Sequence, residues 1–238
     1  MIARAQAIAQ DDQGPQYTYA KRALLEYQDA AGLTTKSEEK IYQVELIAGF
    51  PFDRLVRIQG RELTSKELKK EQQREERFRK KFVSANSASM AARKEGWVTR
   101  QLLDRYQFVV VERVAMNGRS TLVLAFKPKD EDLPAKTFQD KLLNRMAGTV
   151  WIDEADADTA KLSVRLTESI ALGWLGVLGS LNQCELSLER KRLPDGVWVN
   201  ARQTLLIHYR KLASTMRFHS TEESSGFEKV AVKKNAEN

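Results

Sequence analysis

A single cysteine, Cys184, stands among the 238 residues, which excludes an internal disulfide and leaves the redox compartment open. Histidine is almost as scarce, with only His208 and His219. The sequence contains no G-x-S-x-G, no H-E-x-x-H and no P-loop pattern, so the expectation is a non-enzymatic protein without cofactor or metal. No RNP-like aromatic pattern or zinc-finger spacing occurs, which argues against a nucleic-acid partner. No apolar run approaches the ~20 residues of a membrane-spanning helix. Linkers rich in proline, glycine and serine are missing too. The run SANSAS at 84–89 is short enough for a loop, and a chain of this length can bury one full core, so residues 1–238 read as a single domain.

What is present is β-rich. Four units with matching punctuation fill the second half: FVVVERVAMNGRSTLVLAFKPK at 108–129, GTVWIDEADADTAKLSVRLTES at 148–169, CELSLERKRLPDGVWVNARQTLLIHYR at 184–210, and the strand MRFHSTEES at 216–224. Asn117-Gly118, the 153–158 turn and Pro194-Asp195-Gly196 supply the residues that tight connections need. Leu162, Val164 and Leu166 alternate with Ser163, Arg165 and Thr167, so one face is apolar and the other wet. Leu122, Leu124 and Phe126 repeat the pattern, as do Tyr42, Val44 and Leu46 upstream, while Tyr17, Tyr19, Leu25 and Tyr27 share one parity. A sheet with one apolar face needs a cover.

Helical patterns supply candidates for it. Thr64-Ser65-Lys66-Glu67 is a capping box opening a stretch to Phe82 without glycine or proline. That stretch holds eight basic and four acidic residues, with Leu63, Leu68, Phe78 and Phe82 as a thin apolar stripe. Shorter helices are expected over 99–106, with Leu102, Leu103 and Tyr106 on one side, and over 138–146, with Phe138, Leu142, Leu143 and Met146 at helical spacing. The Ala-rich 1–15 reads as an N-terminal helix, 64–106 as a helical insertion, and 224–238 as a flexible tail.

Candidate chemistry is sparse. His208 lies opposite in parity to Leu205, Ile207 and Tyr209, and a hydrolase would need His208 or His219 to converge with a serine such as Ser187. Cys184 sits among apolar strand residues and reads as a buried thiol. The acidic turn Asp153-Glu154-Ala155-Asp156-Ala157-Asp158 invites a calcium reading, but it lacks the EF-hand glycine, and Arg165 occupies the place of the last carboxylate. A solvated turn is expected instead. The net charge of +7 favours anionic headgroups over a specific polyanion, because acidic residues interleave with the basic ones. The segment 172–181, LGWLGVLGSL, carries six large apolar residues spaced by glycines and no charge. It reads either as a lid touching acyl chains or a bilayer, or as a buried strand-to-strand crossover.

Three motifs carry a family resemblance. Met116-Asn117-Gly118-Arg119 with the strand 122–126 and Lys127-Pro128 resembles the GR-x-x-(apolar)-L-x-F-x-P hairpin of outer-membrane lipoprotein-sorting proteins. Gly148-Thr149-Val150-Trp151-Ile152-Asp153 is similar to their G-x-(V/L)-W-I-D strand, and Asp195-Gly196-Val197-Trp198-Val199 to a later D-G-V-W strand. In order of elements the match covers 16–223, and it points to the LolA/LolB-like group of periplasmic lipoprotein carriers and their relatives.

The resemblance implies an α+β, mostly β fold: a strongly curved antiparallel sheet, an open half-barrel, with helices covering its concave face. It implies a periplasmic or outer-membrane-associated location, with a signal peptide removed ahead of this sequence. The function it implies is binding of lipid or lipoprotein acyl chains as a carrier or sensor. The alternative is an envelope protein-interaction module on the same fold with no ligand. Expected partners are a lipid or acylated protein, an envelope protein, and transiently the membrane surface. Strand parity then selects the lining of the apolar cavity: Leu122, Leu124, Phe126, Val150, Ile152, Leu162, Val164, Leu166, Leu186 and Leu188, with Trp174 and Leu175 as gate. A register error of one residue would invert a strand.

Overall fold

Period-two alternation and tight turns build nearly all of this chain. The computed structural model describes residues 17–83, 104–129, 133–172, 179–211 and 214–230. Its strands are β1 (Tyr17–Gln28), β2 (Thr34–Ile47), β3 (Phe50–Ile58), β4 (Arg61–Glu62), β5 (Tyr106–Met116), β6 (Arg119–Pro128), β7 (Met146–Asp153), β8 (Thr159–Leu166), β9 (Ile170–Leu172), β10 (Gly179–Arg192), β11 (Trp198–Lys211) and β12 (Ser214–Lys229). They form one sheet in the order β4-β3-β2-β1-β12-β11-β10-β8-β7-β6-β5, with β9 beside β10. All pairings are antiparallel. β4 and β5 stand at opposite ends of the order, so the sheet is open.

Three of the turns share one geometry. Ala48-Gly49, Gln59-Gly60 and Asn117-Gly118 each place both central residues at positive φ, with Asn117 at 51° and Gly118 at 75°. That is the two-residue connection whose twist matches the flanking strands. The step that organises the sheet is non-local: β1 pairs with β12, Tyr17 facing Lys229 and Gln28 facing Arg217. The first and last strands therefore lie in the middle of the sheet.

Among the described residues, α1 (Ser65–Val83) and α2 (Phe138–Leu143) accompany it. The predicted capping box holds: the Thr64 N–H donates to Glu67 Oε2 at 2.8 Å, and the Glu67 N–H donates to Thr64 Oγ1 at 3.4 Å. On the sheet side of α1, Phe78 meets Phe52 and Phe82 meets Phe50, with centroids 5.0 and 4.5 Å apart. Phe52 is buried to 1% exposure beneath this contact. α2 carries its own capping box, Thr137 with Asp140, and its Leu142 packs against the cluster of Met146, Ile170, Leu181 and Cys184.

Several expectations shift. The helix predicted over 99–106 gives way at Tyr106, which begins β5 and sets its ring edge-on to Phe126 at 5.4 Å. Residues 99–103 lie outside the described residues. The 138–146 helix stops at Leu143, because Met146 is drawn into strand pairing with Leu166. Residues 224–229, expected in a tail, complete β12, and Phe227 stacks on Tyr19 at 4.7 Å. The N-terminal helix expected over 1–15 lies outside the described residues.

Candidate functional site

In an antiparallel sheet, residues facing each other across a strand pair project to the same side. The register therefore decides whether the predicted lining residues share a face. Leu124 faces Val150, Val150 faces Leu162, and Leu162 faces Leu188, making one row over β6, β7, β8 and β10. The next row runs Phe126, Gly148, Val164, Leu186 and Leu205. Leu122 faces Ile152, and Leu166 faces Met146. All ten described residues of the predicted set thus lie on one face. Trp174 and Leu175 lie outside the described residues. The strands that flank their segment pair with each other, Leu172 facing Gly179.

Burial is graded along this face. Leu122, Leu124, Ile152 and Leu188 are buried, whereas Phe126, Val150, Leu162, Val164, Leu166 and Leu186 are half-buried. Gly148 leaves a notch that Phe126 fills: a Cβ at Gly148 would overlap the Ser163 carbonyl oxygen and stand 2.9 Å from the Phe126 ring. Tyr106 and Phe108 pack on the other sides of that ring. Sequence reasoning left Leu205, Ile207 and Phe108 off the face. The shared parity of Leu205 and Ile207 was the available signal for two of them, and their pairing with Leu186 and Cys184 places them there. Burial pushes the Cys184 thiol pKa up, with Glu185 adding to it.

On the opposite face, beside Val123 and Trp151, polar residues stand in orderly rows. Thr149, Ser163, Ser187, Thr204 and Thr221 put one hydroxyl on each of five neighbouring strands. Beside them runs an ion-pair ladder: Lys161 to Glu189 at 3.1 Å, Arg202 to Glu223 at 3.8 Å and Arg22 to Glu223 at 3.5 Å. A hollow of about 340 Å³ on this face is lined by Ser163, Ser187, Thr204, Arg217, His219 and Glu185, among others. Ser187 and His219 share that hollow but stand on β10 and β12, with β11 between them. Two strand spacings are about 10 Å, too far for a nucleophile–base hydrogen bond. His219 instead places Nδ1 3.4 Å from Glu26 Oε2. A second hollow, about 390 Å³, lies where α1 meets β1, β2 and β3, lined by Lys21, Lys40, Tyr42, Asp53, Glu71 and Arg74. Of the ten described residues of the predicted acyl lining, only Leu186 lines either hollow.

The acidic turn is not solvated as expected. Arg119 donates from Nε and Nη2 to both oxygens of Asp153, at 2.6 and 2.7 Å, and Asp153 is 1% exposed. Asp156 accepts from Arg192 Nε at 2.6 Å and Trp198 Nε1 at 2.9 Å, and Arg190 holds Asp158. The Arg119 bonds keep the Asp153 carboxyl below its ordinary range. Each carboxylate is taken by a cation. Among the described residues no group of three or more potential ligands is placed to hold a metal ion.

No protein-family model matches the chain, and no curated protein matches it in sequence. Among solved structures it is similar to an outer membrane lipoprotein-sorting protein domain from Vibrio parahaemolyticus, at TM-score 0.37 and 11% identity over 98% of this chain and 93% of that one. It is also similar to a LolA superfamily protein from Nitrosomonas europaea, at TM-score 0.30 and 11% identity over 94% and 92%. A third is the MucA/MucB complex of Pseudomonas aeruginosa, at TM-score 0.25 and 12% identity over 94% of each chain. The first two fall in the group that the hairpin motifs resemble. At these scores the similarity assigns neither ligand nor partner to this chain.

Proposed function

We propose that this chain is a non-enzymatic binding protein of the cell envelope, periplasmic or outer-membrane associated, that receives acyl chains of a lipid or lipoprotein on its apolar sheet face. One observation carries the reading: the ten residues that strand parity selects fall on one side of β6, β7, β8 and β10, with two rows running from β6 to β10. Six of them keep part of their surface accessible. Each acyl CH₂ covered there contributes about 0.8 kcal/mol, so a long chain laid along two rows gains enough for retention. Trp174 and Leu175 serve as the gate in this proposal, and the polar face keeps the loaded protein in water.

The test is native mass spectrometry of the full chain purified gently from an envelope fraction, followed by solvent extraction and by palmitate uptake in vitro. A discrete added mass extractable as lipid or acylated peptide is expected. Leu162→Asn and Val164→Asn should lose uptake while Ser163→Asn, one residue away on the polar face, retains it. A clean apo mass that persists after incubation with palmitate would sink the proposal.

A second reading has its own observation. β5 ends the sheet, and its Val109, Val110 and Val111 are 62%, 59% and 58% exposed. An edge that is unpaired among the described residues and bears three exposed valines is a template for strand addition by a partner protein. Val109 faces Ala125 on the side away from Leu124, so Val109→Lys should abolish partner capture there and leave palmitate uptake unchanged.

A further inference from the structure

α1 sorts its charges in a way that its sequence conceals. Three of its four acidic residues turn toward the sheet and are paired: Glu67 with Arg61, Glu71 with Arg74, and Glu75 with both Arg54 and Arg79. Lys66, Lys69, Lys70, Arg77, Lys80 and Lys81 are all exposed. Among the described residues none of these six meets a carboxylate, and Lys81 only lies over the Phe82 ring. At 3.6 residues per turn the six fall within an arc of about 120°, opposite Glu71, Phe78 and Phe82. From Lys66 to Lys81 the stripe runs about 22 Å along a helix without proline or glycine. Exposed Glu76 stands at its margin.

We infer that this stripe is a docking surface for an anionic bilayer. Five of the six cations are lysines, compact point charges without the planar fork that selects one carboxylate or phosphate geometry. Gln73 is the only neutral residue within the arc, so the stripe holds no aromatic or hydroxyl group to read a shaped partner. A straight, one-signed rod of mobile ammonium groups complements a plane of mobile anionic headgroups. The stripe has no apolar residue, so docking is peripheral, without insertion, and sensitive to salt. α1 packs at the β3 end of the sheet order, whereas the acyl-binding rows lie on β6, β7, β8 and β10, and the inference stands apart from that reading.

The experiment is co-sedimentation of the full chain with phosphatidylcholine vesicles, with and without about one third phosphatidylglycerol. Binding is expected only to the anionic vesicles, with release at about 0.5 M salt, where screening acts within a few ångströms. The variant K66Q/K70Q/R77Q/K81Q should weaken binding by at least about tenfold. R57Q/R165Q/R210Q/K211Q, which removes the same charge from other exposed positions, should bind like the parent; far-UV circular dichroism checks that both variants fold. Equal loss in both variants would overturn the assignment in favour of net charge alone. Absence of vesicle binding would also overturn it, as would stronger association of the stripe with a soluble acidic polymer such as polyglutamate or DNA. A chain that takes up palmitate yet ignores vesicles would sink this surface and leave the acyl-binding reading standing.

Discussion

The backbone N–H of Leu55 donates to Glu71 Oε1 at 3.0 Å, so a side chain of α1 takes the place of a neighbouring strand at the free edge of β3. Arg74 does the complementary job by donating to the Asp53 carbonyl, and it is tied to Glu71 in turn. β4 covers only the end of β3, at Arg57 and Ile58. α1 thus blunts one edge of the sheet, while among the described residues nothing pairs with the outer side of β5.

Removal of that acceptor should be costly because Glu71 is buried. Glu71→Ala is expected to lower stability by about 1–3 kcal/mol, read by urea denaturation, and to raise light scattering as the β3 edge becomes available. Glu71→Gln, which keeps an oxygen acceptor, should recover much of the loss. An Ala variant as stable and monodisperse as the parent would refute the capping role.

Gly148 tests the packing of the apolar face. An added methyl group meets backbone at Ser163 and ring atoms at Phe126, and overpacking of this kind costs about 1–3 kcal/mol. Gly148→Ala should shift the denaturation midpoint accordingly, while Ala147→Gly, one residue away on the opposite face, should have a smaller effect. A neutral Gly148→Ala would mean that Phe126 does not fill the notch.

The Arg119–Asp153 pair sets a pH dependence. The folded Asp153 carboxyl lies below its unfolded value of about 3.9, so its contribution is fully present above that value and is lost as pH falls toward the folded one. Stability should be nearly flat from pH 7 to 5 on this account and decline below about pH 4. Arg119→Ala leaves a buried carboxylate short of its cation, with a cost on the order of 3 kcal/mol at pH 7 and a weaker acid decline. Acid titration of the two proteins by circular dichroism checks this; parallel curves would contradict it. Because the arginines hold the carboxylates, millimolar calcium should leave the melting temperature unchanged.

Much of the apolar face was legible in the sequence. Leu162, Val164 and Leu166 alternate without interruption, and Asn117-Gly118 dictates a hairpin that aligns β5 with β6. Boundaries failed where two periodicities competed: Tyr106 and Met146 suit a helical stripe as well as a strand, and contacts with Phe126 and Leu166 decided for the strand. Phe227 looked like part of a tail because Tyr19, its stacking partner, is more than 200 residues away in the chain.

Local geometry explains the division. Side-chain period and turn conformation depend on residues two to four apart, so the amino-acid order alone determined that the chain alternates apolar and polar faces, where it turns, and that Thr64 begins a helix. Strand order, the pairing of β1 with β12, the arginines on the 153–158 turn and the inward orientation of Glu67, Glu71 and Glu75 all join residues distant in the chain. Tertiary structure decided these, because loop closure sets no preference among distant partners until a whole face has been brought together to bury it.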